Sequence, residues 1–439
     1  MRPLDAAPAS TAPPLGAERE GSRGVGSTAV LDRREVEPAP PGALDHSRAW
    51  MPSGPGRWWV TLLGVLTVAA VVWMVVWLSA AHLPRADELF PRPGSIPGGM
   101  AFEGWARWDA YWYRSIVVDG YVYFPGVQSS VAFFPGYPLL LGAVHGLFPS
   151  VFVAGSVVTL VAGVGALVAF RRWTGLFVGR PGATVALALL ALFPYAYYLY
   201  GAVYGDALFL VAAVSAFYAL ERDRVALAAL LAALASACRP TGVIVALALV
   251  LRALELRNAG AVRWRDRLDP RGLRPRDGVL VASFAGLAAW MGYLWVRFGD
   301  PMAFSTVQGA KGWDQPSGPG TWFKVGFVKN VVTNLGSSYT LSTLLSAGLA
   351  VLVVVLSVVV WRRLGWSYGL YCLGLVALVV VGSKDFMGTG RYLLGAFPAF
   401  AAAGAVIGER PTLRWAVPLV SGLGLVVLAS AFARGTYLS

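Results

Sequence analysis

The sequence has few charged residues and few of the side chains that disulfide and metal chemistry require. Only 13% of its 439 residues are charged and 57% are hydrophobic. No soluble globular protein needs that much apolar surface, so the class is integral membrane protein. The two cysteines, Cys238 and Cys372, lie far apart in apolar stretches, which argues against a disulfide framework. The three histidines, His46, His82 and His145, are scattered, so they predict no metal site.

Several functional motifs are also missing. There is no Walker motif, no GxGxxG after a strand and no GxSxG. ATP-driven transport, dinucleotide use and serine hydrolase chemistry therefore have no support. Lysine is scarce, with four residues in a chain of net charge +13. The arginines that supply this charge lie in short loops between apolar runs, as is typical of a membrane protein, so no nucleic acid partner is expected.

Residues 1–56 differ in composition from the rest of the chain. They hold nine of the 28 prolines and no aromatic residue before Trp50. This is too little apolar surface to offset the entropy lost on folding, so the segment is expected to be a disordered tail. The first apolar run, from Trp58 to Ala81, is too long for a signal-peptide core and begins too far from Met1. We expect it to be a retained transmembrane helix.

Apolar runs recur along the rest of the chain and predict an all-α polytopic membrane protein with about eleven transmembrane helices. Several runs are nearer to about 15 residues than to the roughly 20 that a full crossing needs. The runs lie at 58–82, 151–170, 183–199, 207–220, 225–238, 241–256, 278–298, 340–361, 366–382, 391–408 and 414–433.

Arginine-bearing loops between these runs predict the orientation of the chain. The positive-inside rule places the loops in the cytoplasm, together with the N-terminal tail. Keeping all of them there requires the apolar stretch 133–148 to lie in the outer interface instead of crossing the membrane. The arginine-bearing loops are 171–172, 221–224, 252–277, 362–363 and 409–414.

This orientation divides residues 57–439, the multipass membrane domain, into loops of two kinds. The basic cytoplasmic loop 252–277 holds eight arginines against four acidic residues. A long first external loop, 83–150, contains interfacial helices, and 299–339 forms another external loop. Nearly all the unusual polar residues then lie on the outer side of the plasma membrane. This clustering predicts an extracytoplasmic site.

Asp109 lies among aromatic residues in the first external loop. A charge at the membrane interface is costly to hold without a function. Asp109 is therefore either a cap or ion-pair partner in a solvated loop, or a functional carboxylate. The rings around it are either interfacial anchors or sugar-stacking platforms. A helix through this stretch would place Trp105, Trp108, Trp112 and Ile116 on one stripe, Asp109 at its edge beside Tyr113, and Arg107 and Arg114 opposite.

Three further stretches supply candidate residues on the same side. Asp206, in YLYGAVYGDALF, lies at a helix boundary and suits a capping carboxylate, a functional one, or both. Arg239 lies between two short apolar helices, where it either snorkels to lipid headgroups or helps to bind an anion. Lys384, Asp385 and Arg391 surround a Gly-Thr-Gly turn that opens a helix. Such a turn suits a phosphate, and a solvated loop is the alternative.

A carboxylate, several arginines and no metal cluster fit glycosyl transfer from a lipid-phosphate sugar. The carboxylate can take the proton of an acceptor hydroxyl as that hydroxyl attacks the anomeric carbon. A phosphate leaving group needs cations and amide donors instead of a general acid. Attack and departure on opposite faces imply inversion of the anomeric carbon. The loop 298–313, with Asp300, Gln308 and Lys311, is a candidate lid over donor or acceptor.

An ordered set of motifs resembles the PIG-V-type mannosyltransferases and their actinobacterial relatives. It begins with RWDAYWYRSIVVDGY and AFFPGYPLLL in the first external loop and continues with FPYAYYLYGAVYGDALF, ACRPTGVIVAL, GDPMAF followed by Gln308 and Trp313, and RYLLGAFP. The motifs span residues 105 to 398. The resemblance implies the GT-C superfamily, a polyprenyl-phosphate-linked sugar donor, usually mannose, and inverting transfer on the extracytoplasmic face.

Carried over residue by residue, the resemblance makes Asp109 the catalytic base. Asp206, the second predicted catalytic residue, stands where the family commonly has an acidic residue, often glutamate. Gly136 replaces a bulkier residue, a change that could alter acceptor access. The predicted donor-phosphate residues are Arg239, Lys384, Arg391 and Tyr392. The predicted substrate-shaping residues are Trp108, Tyr113, Arg114, Gln308 and Lys311.

Alternative functions remain open at this point. One is a GT-C transferase that uses another polyprenyl-phosphate sugar, such as glucose or arabinose. Another is a lipid-linked sugar flippase or transporter, although such proteins usually keep charges near mid-bilayer and show internal repeats. No cofactor is expected, although Asp109 and Asp206 together could hold a divalent ion. The expected partners are the lipid-linked donor, the bilayer and a glycolipid or other extracytoplasmic acceptor.

Overall fold

The computed structural model describes residues 58–86, 94, 96 and 99–438, so the predicted tail over 1–56 lies outside the described residues. Regular structure in this part of the chain is helical, apart from one isolated bridge between Val127 and Lys311. The α-helices of nine or more residues are α1 (Trp58–His82), α2 (Asp109–Asp119), α3 (Gly136–Val144), α4 (Val151–Thr174), α5 (Arg180–Ala191), α6 (Asp206–Glu221), α7 (Val225–Cys238), α8 (Gly242–Arg257), α9 (Ala285–Phe298), α10 (Val325–Thr333), α11 (Ser338–Arg363), α12 (Trp366–Gly382), α13 (Phe397–Ile407) and α14 (Leu413–Ala433).

Shorter helical segments connect these helices. The one-turn α-helices are Met100–Glu103, Trp264–Arg267, Ala303–Thr306, Pro319–Trp322 and Thr389–Tyr392. The 3-10 segments are Ser130–Ala132, His145–Leu147, Ala196–Leu199, Pro270–Gly272, Pro275–Phe284, Val307–Gly309 and Leu393–Gly395.

Each of the eleven apolar runs is helical, which confirms the predicted all-α membrane class. By length and composition, five helices of the described chain can cross a membrane: α1, α4, α11, α14 and the continuous stretch Pro275–Phe298. A sixth is added if Thr389–Gly395 and α13, which meet at 77°, count as one broken span. The other runs are helical but shorter than the roughly 20 residues of a full crossing. Some of them end at a polar residue, as α7 does at Arg239 and α8 at Asn258.

The core surrounds α6, which begins at Asp206. Twelve of the sixteen residues of α6 are buried, so the helix is apolar on nearly every side and packs against α4, α7 and α8. Close helix packing depends on small residues, as at Gly163 of α4. A Cβ atom there would lie 1.8 Å from the carbonyl oxygen of Leu199. The segment that precedes α6 therefore packs tightly against α4.

The helix predicted through residues 105–121 begins later than the periodicity indicates. Trp108 has φ 51° and ψ −110°, a conformation that breaks a helix, so α2 starts at Asp109. Trp105 is therefore not on the same stripe as Trp112, and the predicted stripe is wrong in its first half. The buried Trp105 ring instead packs against Trp73. Asp109 stands at the first turn of its helix instead of on its flank.

Arg107 also differs from the prediction, which placed it with Arg114 on the side away from the aromatic stripe. Arg114 is exposed. Arg107 is buried, and its Nε and Nη2 donate to the carbonyl oxygen of Ala433 at 3.0 and 2.6 Å. The segment just before Asp109 is thereby tied to the end of α14.

The apolar stretch 133–148 contains α3, whose nine residues are too few to cross a membrane. The glycine that opens this helix, Gly136, packs directly on the end of α7. A Cβ atom at Gly136 would lie 2.8 Å from Cys238 Sγ and 3.0 Å from the carbonyl carbon and oxygen of Ala237. The absence of a side chain at Gly136 thus serves helix packing.

We expect Gly136→Ala to destabilise the protein by about 1–3 kcal/mol, because the added methyl group overpacks the contact with α7. Gly142→Ala on the same helix is the matched control, since a Cβ atom there meets nothing within 4 Å. Thermal unfolding of both purified variants in detergent measures the difference. Equal melting temperatures for the two variants would show that α3 moves freely relative to α7.

Candidate active site

Four charged side chains from four separate segments of the chain meet at one site. Asp206 and Arg239 form a buried ion pair, with Asp206 only 3% exposed. Arg391 Nη1 lies 3.0 Å from Asp109 Oδ2, and Arg391 Nε lies 3.9 Å from Asp206 Oδ1. The Asp109 side chain is the most accessible of the four, at 27% exposure. We call these four residues the charged cluster.

Helix ends position all four side chains. Asp109 and Asp206 are the first residues of α2 and α6, where the helix dipole favours a negative charge. Arg239 follows the last residue of α7 in an extended conformation. Arg391 lies in the turn Thr389–Tyr392, whose preceding residue, Gly388, has φ 73°. Breaks in apolar helices thus bring polar groups to one end of the bundle.

Tyrosine rings surround the two guanidinium groups. Arg239 Cζ lies 4.1 Å from the centroid of the Tyr392 ring, and Arg391 Cζ lies 5.1 Å from the same ring. Arg391 also lies 5.0 Å from the Tyr204 ring. Cation–π contacts of this kind hold the arginines in place without neutralising their charge. The backbone N–H of Asp109 donates to Tyr204 Oη at 3.1 Å, which fixes the start of α2 beside Arg391.

Tyr113 completes the wall of the site next to Asp109. Its buried ring packs edge-on against Tyr137 at 4.9 Å. Burial raises the pKa of Tyr113 well above its ordinary value, and the charge of Asp109 raises it further. The phenol therefore stays protonated at neutral pH.

The charged cluster has unused capacity to bind an anion. Its two arginines and two aspartates sum to zero charge, yet Arg391 Nε is buried and makes no hydrogen bond. The buried hydroxyls of Thr241, two residues after Arg239, and Thr389, two before Arg391, also have no hydrogen-bond partner in the described structure. Buried polar groups usually have a hydrogen-bond partner, so these three groups are available as donors to a bound molecule. Guanidinium and hydroxyl donors suit a phosphate.

The other predicted site residues lie outside the charged cluster. Lys384 lines a cavity of about 290 Å³ with residues 316–321, Val325 and Gly326. It forms no ion pair with any of the four within the described chain. Gln308 Nε2 donates to the carbonyl oxygen of Phe304 at 3.3 Å. Lys311 is exposed and pairs with Val127 through the isolated bridge. Their predicted roles, like that of the exposed Arg114, stay predictions.

The predicted lid over 298–313 contacts the stretch 83–150, which is predicted to be external. Trp313 packs against Trp112 at 5.6 Å and against Phe133 at 6.0 Å. Trp112 is one turn after Asp109 on α2, so this aromatic contact lies beside the base candidate. Asp300 accepts a hydrogen bond from the backbone of Met302 at 2.8 Å and acts as a local cap.

Two residues near Asp109 have no role in the sequence prediction. Tyr204 lies two positions before Asp206, and its place in a Tyr-Gly-Asp sequence at a helix start was an available signal. Tyr437 packs edge-on against Trp108 at 4.8 Å. It lies beyond the last apolar run, and no sequence pattern connects it with residue 108.

The sequence leaves open a divalent ion held jointly by Asp109 and Asp206. Among the described residues, no three His, Cys, Asp or Glu side chains come together as a metal site would require. Asp109 and Asp206 are instead both next to the guanidinium group of Arg391. The arginine thus occupies the place between the two carboxylates.

The fold and site together define a helical, multipass membrane protein with an arginine–carboxylate centre at one end of its bundle. The chain is 32% identical over 177 residues to GPI alpha-1,6-mannosyltransferase 2 of Mus musculus. This similarity confirms the resemblance found in the motifs. The matched stretch covers 36% of this chain and 35% of the mouse protein, so the chain spans about a third of that relative's length. No family model matches the chain.

Two solved membrane structures are similar at a lower level. ArnT from Cupriavidus metallidurans, bound to undecaprenyl phosphate, has a TM-score of 0.46 and 14% identity, covering 82% of this chain and 62% of ArnT. The Archaeoglobus fulgidus oligosaccharyltransferase has a TM-score of 0.45 and 14% identity, covering 84% of this chain and 53% of its own. The functional assignment therefore depends on the charged cluster and on the sequence relative.

Proposed function

We propose that the protein is a GT-C glycosyltransferase that moves mannose from polyprenyl-phosphate-mannose to a hydroxyl group of a lipid-linked or other extracytoplasmic acceptor. The observation that carries the proposal is the pairing of the accessible Asp109 carboxylate with Arg391, next to the buried Asp206–Arg239 pair. In this arrangement a carboxylate that can act as a base lies next to a guanidinium group whose Nε has no hydrogen-bond partner among the described residues. The similarity to a mannosyltransferase supports mannose as the sugar.

The chemistry follows from the positions of these groups. The acceptor oxygen attacks the anomeric carbon, and its proton passes to a carboxylate oxygen of Asp109. The bond between the anomeric carbon and the phosphate oxygen breaks, and its electron pair stays on the phosphate. Arg391 and Arg239 stabilise that negative charge. One displacement inverts the anomeric carbon, and no covalent sugar intermediate forms.

Asp206 has a supporting role in this mechanism. It is almost fully buried and paired with Arg239, so it is poorly placed to receive a proton from an acceptor. Its charge holds the Arg239 guanidinium over the Tyr392 ring, where Arg239 can contact a phosphate. Asp109 is therefore the base, and Asp206 orients the arginine.

The direct test is sugar transfer by the purified full chain. Synthetic polyprenyl-phosphate-linked mannose, glucose and arabinose are supplied separately with a lipid extract as the source of acceptors. We expect transfer from the mannose donor, with a product of opposite anomeric configuration by NMR. Transfer from only the glucose donor or only the arabinose donor would show that the protein transfers that sugar and not mannose. Movement of labelled donor across a liposome bilayer without any transfer would instead identify a flippase.

A further inference from the structure

An arginine-rich surface lies at the end of the bundle opposite the charged cluster. The helix α8 begins three residues after Arg239 and ends at Arg257. Its sixteen residues span about 24 Å at 1.5 Å per residue. The loop that follows α8 is thus separated from the proposed active site by the length of that helix, and glycosyl transfer assigns it no role.

Exposed arginines outnumber acidic groups on this surface. None of its six arginines forms an ion pair with a carboxylate in the described chain, whereas Arg257 and Arg276 are paired with Asp223. Of the two aspartates in the same loop, Asp269 caps the backbone N–H of Arg271 at 2.9 Å. We call the six residues the arginine surface: Arg263, Arg265, Arg267, Arg271, Arg362 and Arg363.

Apolar side chains stand among these arginines and fix the loop at the end of a membrane-crossing helix. Val262 is 90% exposed, and Leu268 is also exposed. Trp264 stacks on Trp361 with ring centroids 5.9 Å apart and an angle of 18° between the planes. Trp361 belongs to the last turn of α11, one of the candidate spans. The loop therefore lies where a bilayer surface would be.

We propose that the arginine surface binds the headgroups of anionic phospholipids in the adjacent leaflet. Arginine side chains near a membrane surface attract anionic lipids, and tryptophan favours the interface between headgroups and acyl chains. An exposed valine beside them is unfavourable in water and favourable when it enters the bilayer. A nucleic acid would use the arginines but would leave Val262 and Trp264 without a function, so lipid is the better match.

Lipid retention by the full chain tests the proposal. The protein is reconstituted in equal amounts of phosphatidylglycerol and phosphatidylcholine, re-extracted in detergent and analysed for bound lipid by mass spectrometry. We expect wild type to retain phosphatidylglycerol preferentially and Arg263→Gln/Arg265→Gln to lose that preference by about tenfold. The matched control is Arg297→Gln/Lys329→Gln, which removes two exposed cations elsewhere and should behave as wild type.

Each other outcome overturns the proposal. Equal retention of phosphatidylglycerol by wild type and the Arg263/Arg265 variant means that the surface does not bind lipid. Equal loss in both double variants means that only total charge matters. Displacement of the bound lipid by polyadenylate at low micromolar concentration would favour a nucleic acid partner. All of these readouts are independent of sugar transfer.

Discussion

Replacing Asp109 with asparagine is expected to reduce mannosyl transfer at least about a hundredfold, because the amide cannot accept the acceptor proton. The same variant is expected to bind polyprenyl phosphate about two- to fivefold more tightly. Arg391 Nη1 is paired with Asp109 at 3.0 Å, so this carboxylate competes with the donor phosphate for the guanidinium group. A partly exposed ion pair of this kind contributes up to about 1 kcal/mol, and that competition disappears in the variant.

The two opposite effects make this test specific to the proposed roles. A general loss of structure would weaken both transfer and donor binding, whereas loss of the base alone weakens only transfer. Asp119→Asn provides the matched control, since Asp119 is an exposed aspartate at the other end of α2. It should retain wild-type transfer and binding. Undiminished transfer by Asp109→Asn would remove Asp109 from the chemistry and make Asp206 the leading base candidate.

The tighter donor binding follows from the charge balance of the site. The charged cluster sums to zero charge, so a phosphate that binds at Arg391 shares this guanidinium group with Asp109 and weakens their ion pair. In the proposed mechanism, donor binding therefore loosens the ion pair between Arg391 and the proposed base. Donor and Asp109 share one cation, and removal of the carboxylate leaves that cation to the phosphate.

The second large effect concerns stability. Asp206→Asn is expected to destabilise the protein by about 3–5 kcal/mol, because it leaves the buried charge of Arg239 without its partner. Arg239→Gln leaves the buried charge of Asp206 without its partner in the same way. The double variant Asp206→Asn/Arg239→Gln should recover part of the loss, since it buries no uncompensated charge. Thermal unfolding in one detergent at one protein concentration compares the three variants with wild type.

A half-exposed ion pair supplies the control for this series. Arg276 pairs with Asp223, and both side chains are about half exposed. Arg276→Gln should change stability by less than about 1 kcal/mol. If the double variant at Asp206 and Arg239 is no more stable than either single variant, the pair does not account for the loss. The effect then belongs to packing around α6.

The sequence contains enough information to predict the helices and the main site residues. Hydropathy identifies each apolar run, because burial in a membrane requires continuous apolar side chains. Polar residues at the ends of such runs are conspicuous for the same reason. Asp109, Asp206, Arg239 and Arg391 could therefore be selected before any contact was known.

The contacts themselves could not be predicted in this way. Asp109 pairs with Arg391 across 282 residues, and no periodicity encodes that distance in the chain. The helix break at Trp108 could not be predicted, because aromatic residues recur at helical spacing on both sides of it. Lys384 and Arg391 lie on either side of the same Gly-Thr-Gly turn, yet only Arg391 contacts the aspartates. The backbone conformation at the turns determines these positions, and hydropathy carries no information about it.

The two ion pairs of the site have very different spacings along the chain, with consequences for how the protein enters a membrane during synthesis. Asp206 is the first residue of α6, and Arg239, 33 residues later, follows the last residue of α7. Their charges can therefore neutralise each other as soon as these two helices insert together. Asp109 can pair with Arg391 only after a further 282 residues have been synthesised. The buried pair is thus assembled early and locally. The accessible pair, which contains the proposed base, can form only when most of the chain has been made.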